Sequence, residues 1–128
     1  MKKIVNLEGF SIDKLPYSHG MLISFSQMLI TAGQVAMNAQ GEIIGKANIE
    51  AQTIQVMENL KYILIKSDMD FSNIVKVNMY LVNINDLSKV ITIRNGYLKN
   101  NKPASTAIEV KGLANPDFLI EIELIAVK

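Results

Sequence analysis

The sequence predicts an α+β domain spanning residues 1–128, with one mixed β-sheet and two helices packed on one of its faces. Three observations predict it. Two segments carry apolar residues at helical spacing, the other apolar runs are short and β-branched, and the last run alternates so that one face is wholly apolar. Helices with apolar stripes need a surface to bury them on, and one face of a sheet can take both.

Lys2 to Leu7 reads as an opening strand. Met21 to Phe25 and Met28 to Gln34 are apolar runs separated by Ser26 and Gln27, a spacing that predicts a hairpin. From about Asn48 to Lys66, Thr53, Met57, Leu60 and Leu64 form one helical stripe, with Gln52, Gln55, Glu58, Asn59, Lys61 and Lys66 mostly off it. Asn48 suits the N-cap, and Glu50 suits the positive end of the helix dipole. Ile74 to Val82 is a β-branched strand. It has Val75, Val77, Met79 and Leu81 on one face and Ile74, Lys76, Asn78, Tyr80 and Val82 on the other. A second helix runs from about Asp86 to Lys99, capped by Asn85 or Asp86. Leu87, Val90, Ile91, Ile93 and Leu98 supply its apolar content, and Gly96 weakens its end.

Ala104 to Val110 and Phe118 to Val127 complete the strands, around a loop with Gly112, Asn115 and Pro116. In the last strand Phe118, Ile120, Ile122, Leu124 and Ala126 form the apolar face. The other face holds Leu119, Glu121, Glu123, Ile125 and Val127. That face is too apolar for water and too charged for a core, which predicts that it meets another subunit.

Composition narrows the chemistry. Thirteen Lys and Arg against 12 Asp and Glu leave a net charge of +1, which makes no electrostatic case for nucleic acid or a membrane surface. The absence of cysteine excludes disulfides, thiolate metal sites and a cysteine nucleophile, and the one histidine, His19, excludes a multi-histidine metal site. No apolar run approaches the roughly 18 residues of a membrane span, and the expected location is cytoplasmic. The seven methionines are scattered and read as core filler.

Glu121 and Glu123 point the same way from one strand, and Glu109 lies on the strand before. Crowded, half-buried carboxylates can act as a general acid or base, but spacing alone favours a solvated face or lysine ion pairs. Tyr17 can orient a ligand or pack as a loop aromatic, and His19 reads as a surface residue. Gly33, in Thr31-Ala32-Gly33-Gln34, can expose backbone N–H groups or mark a bulge.

Several separated pieces together resemble one family. They are Leu15-Pro16-Tyr17, Ile30 to Val35, Ala51-Gln52, Val75-Lys76-Val77, Asn85-Asp86-Leu87, Lys102 to Thr106 and Ile120 to Val127. In order and spacing this chain is similar to the Rid family, also called YjgF or L-PSP. The resemblance implies a chorismate-mutase-like fold of the Bacillus type. It implies a homotrimer with a small-molecule site in each subunit cleft, enamine and imine deamination, and no metal or organic cofactor. Some members are described instead as endoribonucleases or translation inhibitors.

Carried over residue by residue, the resemblance makes Glu121 the group that activates water, and Tyr17, Ala32, Gly33, Gln34, Ile91, Ser105, Thr106 and Ala107 the ligand-binding positions. Ala32 stands where the family has serine, and Ile91 where active members have asparagine. Ser105 stands at the family's substrate-binding arginine. The chain's one arginine, Arg94, lies in the second helix. Replacing a bidentate charged clamp by a hydroxyl costs roughly 10²–10⁴ in affinity for a keto or imino acid. The sequence therefore implies reduced or changed deaminase activity and a neutral or weakly anionic ligand, unless a lysine replaces the clamp; Lys102 reaches it only through a bend in the chain, and a lysine of a neighbouring subunit is the other candidate. A non-catalytic regulatory module is the alternative, and RNA cleavage is a weaker one.

Overall fold

The structure, a computed structural model, describes residues 1–10 and 12–128. The described elements are β1 (Lys2–Val5), β2 (Gly20–Ile23), β3 (Met28–Ile30), α1 (Ile49–Lys66), β4 (Ile74–Leu81), α2 (Leu87–Leu98), β5 (Ala104–Glu109) and β6 (Ile120–Val127). The main sheet has four strands in the order β3-β6-β4-β5, and β1 and β2 pair separately. β4 and β5 are parallel, joined through α2, while β6 runs antiparallel to both β3 and β4. The sheet is therefore mixed, as the helix between two strands requires.

α1 begins as its sequence predicts. Asn48 Oδ1 accepts the Ala51 N–H at 3.0 Å, with Asn48 itself extended. The chain reaches that cap through Gly45 at φ +72°, where a Cβ would lie 2.7 Å from the Ala51 Cβ. Thr53, Met57, Leu60 and Leu64 are all buried. Together with Val56, Val90 and Leu98 they cover the face of the sheet made by Val77, Met79, Leu81, Ile120, Ile122 and Leu124.

Gln52 departs from the sequence reading. It is fully buried, donating from Nε2 to the carbonyls of Gly45 and Asp117 and accepting the Leu119 N–H. A polar residue beside the stripe has become a clamp between two loops and the start of β6.

Two strand pairings also differ from expectation. Met21–Phe25 and Met28–Gln34 do not form a hairpin: β2 pairs with β1, and β3 pairs with β6. Ser26 and Gln27 lack the left-handed residues of a tight two-residue turn. Both donate their N–H to the Lys128 carbonyl, at 2.8 and 2.9 Å, which steers the chain onto the C-terminal strand. At the start of β4 the register shifts between Ile74 and Lys76. This bulge lets both Ile74 and Val75 bury, so strict alternation begins only at Lys76. No helix among the described residues is long and apolar enough to cross a membrane.

Replacing Gln52 by Leu leaves two carbonyls and one N–H without their partner. We expect a loss of about 3 kcal/mol in unfolding free energy, read by urea denaturation, with the fold retained.

Candidate functional site

The first group of site residues lies where β3 leaves β6. Thr31 still pairs with Leu124, but the next pairing is Gln34 with Ile122, so Ala32 and Gly33 together lie opposite Glu123. This one-residue excess is a bulge, and it brings the Gly33 backbone beneath the Glu121 side chain. A Cβ on Gly33 would stand 2.0 Å from Glu121 Oε1 and 2.7 Å from its carboxyl carbon. The glycine thus supplies the space in which the half-buried carboxylate lies. A groove of about 670 Å³ opens beside Gly33 and Gln34 against α1, lined also by Asn59 and Tyr62. Ala32 is exposed at its edge.

The face of the sheet away from the helices is held by a polar network. Glu123 Oε1 accepts from Tyr80 Oη at 2.6 Å and Asn78 Nδ2 at 3.1 Å. These bonds, the tyrosine's first, hold the Glu123 carboxyl below its ordinary range, and the same bond raises the Tyr80 phenol. Lys76 Nζ donates to Thr106 Oγ1 at 3.0 Å. Glu123 is therefore spent on its neighbours, whereas Glu121 lies against the bulge.

Glu109 does not join them. It pairs with Leu81 on the helix-covered side of β5, at the end of the strand, and accepts the Ile84 N–H at 3.0 Å. The expected carboxylate cluster is thus a pair, because β4 separates β5 from β6 and alternation sends Glu109 to the other side.

The second group gathers at β5. Ser105 and Ala107 pair with Val77 and Met79 and so face α2, while Thr106 is turned to the opposite side with Asn78. Ile91, half-buried on α2, packs against the core one turn before Arg94. Arg94 is only 1% exposed. It donates from Nη1 to Ser105 Oγ at 2.8 Å and from Nη2 to the Pro16 carbonyl at 3.0 Å. Burial lowers its pKa to about 10, so it remains charged at neutral pH.

The loop carrying Tyr17 is further joined to β5 through Ser18, whose N–H and hydroxyl donate to the carbonyls of Pro103 and Lys102. Tyr17 stacks edge-on against His19, which stacks edge-on against Phe10. His19 Nδ1 accepts the Leu7 N–H, an anchoring role in the N-terminal loop.

The sequence reading assigns Arg94 to the second helix but not to the site. The signal was present in the spacing: Val90, Arg94 and Leu98 recur every four residues on one helix face, so the arginine had to turn inward.

Within one chain the two groups stay apart. Glu121 and Gly33 lie at the β3–β6 side of the sheet, with Glu121 on the open face. Tyr17, Ile91, Arg94 and Ser105 lie at the β5 edge, with Ser105 on the helix side.

The family described as Endoribonuclease L-PSP matches residues 11–128. A RutC family protein of Pyrococcus horikoshii is 38% identical over 129 residues, covering 100% of this chain and 99% of its own. The human 2-iminobutanoate/2-iminopropanoate deaminase is 31% identical, covering 88% of this chain and 80% of its own. Among solved structures, the Yersinia pestis protein YyfB, described as a conserved Rid family protein of unknown function, superposes with a TM-score of 0.88. It has 33% identity and covers 99% of this chain and 98% of its own. These structural neighbours share the chorismate-mutase-like fold.

Two outcomes follow from the geometry. Gly33→Ala must displace the Glu121 carboxylate, so we expect ligand binding or turnover to fall far more than the melting temperature, compared by calorimetry and activity. Glu123 has a depressed folded-state pKa, so its contribution to stability is present above the ordinary glutamate range and is lost as pH falls through the folded value. Tyr80→Phe removes the main cause of that depression, and we expect acid unfolding to begin at higher pH, followed by circular dichroism.

Proposed function

This chain belongs to the Rid family, also called the YjgF or L-PSP family, and on that premise we propose a homotrimeric protein that binds a small molecule in the clefts between subunits and hydrolyses an enamine or imine. The observation that carries the reading is the separation of the two residue groups. Glu121 on its glycine bulge and the Tyr17–Ser105 edge cannot meet around one small ligand in one chain, but they can across two copies. The open sheet face supports association. Ile30 is 68% exposed and Ile108 is 45% exposed, Ile108 lying opposite Tyr80 and Ile30 opposite Ile125. Covering such aliphatic surface stabilises an assembly by about 25 cal/mol per Å² of apolar area removed from water.

In the proposed reaction the Glu121 carboxylate accepts a proton from water as the water oxygen attacks the carbon of the protonated imine, which gives a neutral carbinolamine. The carboxylic acid just formed then protonates the amino nitrogen, the C–N bond breaks as the hydroxyl becomes the carbonyl, and the hydroxyl proton passes through the Glu121 carboxylate to the departing ammonia. The enamine enters the same route after tautomerising to its imine. No cofactor takes part in this sequence. The human relative's printed name supports the substrate class. Backbone N–H groups beside Ala107 would hold the substrate, together with Thr106 and Gln34 at the cleft walls.

Ser105 at the family's arginine position favours a second reading, a regulatory ligand-binding module without turnover. RNA cleavage has less behind it. The net charge of +1 gives no basic stripe, and the single histidine is held in an aromatic stack.

With an imine generated in place by an amino-acid oxidase and trapped by semicarbazide, we expect the wild type to accelerate imine loss and Glu121→Ala to reduce that rate by roughly 10²–10⁴-fold. Sedimentation is expected at three times the 14.2 kDa chain mass. A single-chain mass would exclude the cleft. Turnover by Ser105→Arg alone would favour the regulatory reading.

A further inference from the structure

Among the described residues Arg94 is a buried cation with no anion in its hydrogen bonds or ion pairs. Its three acceptors, Ser105 Oγ, the Pro16 carbonyl and Asn95 Oδ1, are all neutral, and its Nε is buried with no partner. The ion pairs among the described residues are Lys46–Asp117 and Lys61–Glu58, and neither involves it. Burial of a charge is costly unless the charge is paired, and an aliphatic residue at this helix position would avoid the cost altogether. The charge is nonetheless retained, and it is directed at the strand position where the cleft begins.

The geometry also orients Ser105. A guanidinium has donors only, so the serine oxygen receives Nη1–H and the serine proton must point away from Arg94. Ser105 is half-buried on β5, the edge strand of the sheet. An acceptor arriving there meets a hydroxyl whose donor direction is set and whose oxygen is polarised by a full positive charge one bond behind it. A monoanion suits this arrangement better than a phosphate dianion, which would need several further donors. The Pro16 carbonyl ties the same guanidinium to the loop bearing Tyr17, so the charge and the loop are held together.

We propose that Arg94 and Ser105 together form the anion-binding corner of the cleft, Ser105 donating its hydroxyl to a ligand carboxylate and Arg94, from the helix behind, supplying the charge. This rests on the cleft reading above and reverses the sequence-based expectation of a neutral ligand. Arg94 is a positioning residue here, since it acts on the ligand through Ser105.

The test is titration calorimetry of the full-length protein with 2-oxobutanoate and with its neutral amide, for the wild type and for Ser105→Asp, Ser105→Ala and Arg94→Met. Ser105→Asp gives Arg94 an internal counter-ion. We expect it to raise the melting temperature and to weaken 2-oxobutanoate by about 100-fold while the amide still binds. Ser105→Ala is expected to weaken the carboxylate by about 10-fold, and Arg94→Met to abolish the preference for it. The proposal is overturned if the wild type binds the amide as tightly as the acid, if Ser105→Asp keeps its carboxylate affinity, or if Ser105→Asp melts lower than the wild type. In those cases imine turnover that still depends on Glu121 leaves the cleft reading standing. If the folded wild type binds neither probe and shows no turnover, both fail.

Discussion

β6 is hydrogen-bonded on both sides, to β3 and to β4, so its side chains alternate between the helix-covered layer and the open face with no freedom to slip. Ile120, Ile122, Leu124 and Ala126 enter the core as a block. A slip of one residue would bring Glu121 and Glu123 beneath the helices. The same constraint sends both carboxylates to the open face and gives each a separate neighbourhood. Glu123 meets Tyr80 and Asn78, and Glu121 meets the bulge at Gly33. One strand thus serves both as the core of the fold and as the carrier of both open-face carboxylates.

The bulge matters because β3 and β6 would otherwise stay in step. One additional residue on β3, taken up across Ala32 and Gly33, allows a carboxylate to lie against bare backbone. Only a residue without a Cβ can accept that contact, so the glycine is here for a close approach; it is not one of the positions with a left-handed backbone. On the other side of the sheet, alternation along β5 divides Ser105 from Thr106. Ser105 meets the helix layer and Thr106 meets Lys76, so adjacent residues of one motif belong to different surroundings.

Arg94 brings to Ser105 a guanidinium that the strand itself lacks. A strand arginine would approach a ligand directly, whereas here the guanidinium comes from the helix and reaches Ser105 from behind. Its desolvation is met in part by three neutral acceptors, which leaves the charge itself unneutralised within the chain. Neutral hydrogen bonds satisfy donors without cancelling a net charge, and that separates this guanidinium from an ordinary structural ion pair.

The sequence by itself determined the elements whose signals are local. The Asn48 cap, the stripe of α1, the alternation of β6 and the apolar–charged character of its open face follow from spacing and cap chemistry. The tertiary structure decided which strands pair and which distant groups meet. Met28–Ile30 joins β6 because the Lys128 carbonyl captures Ser26 and Gln27, a contact between segments far apart in the sequence. Gln52 becomes buried because two loops bring their carbonyls to it. Arg94 reaches Ser105 because the parallel β4–α2–β5 crossover lays the helix over its own next strand. Periodicity reports which face of an element is apolar. It carries no information about what the rest of the chain will place against that face, and at Ser105 that neighbour is a buried guanidinium.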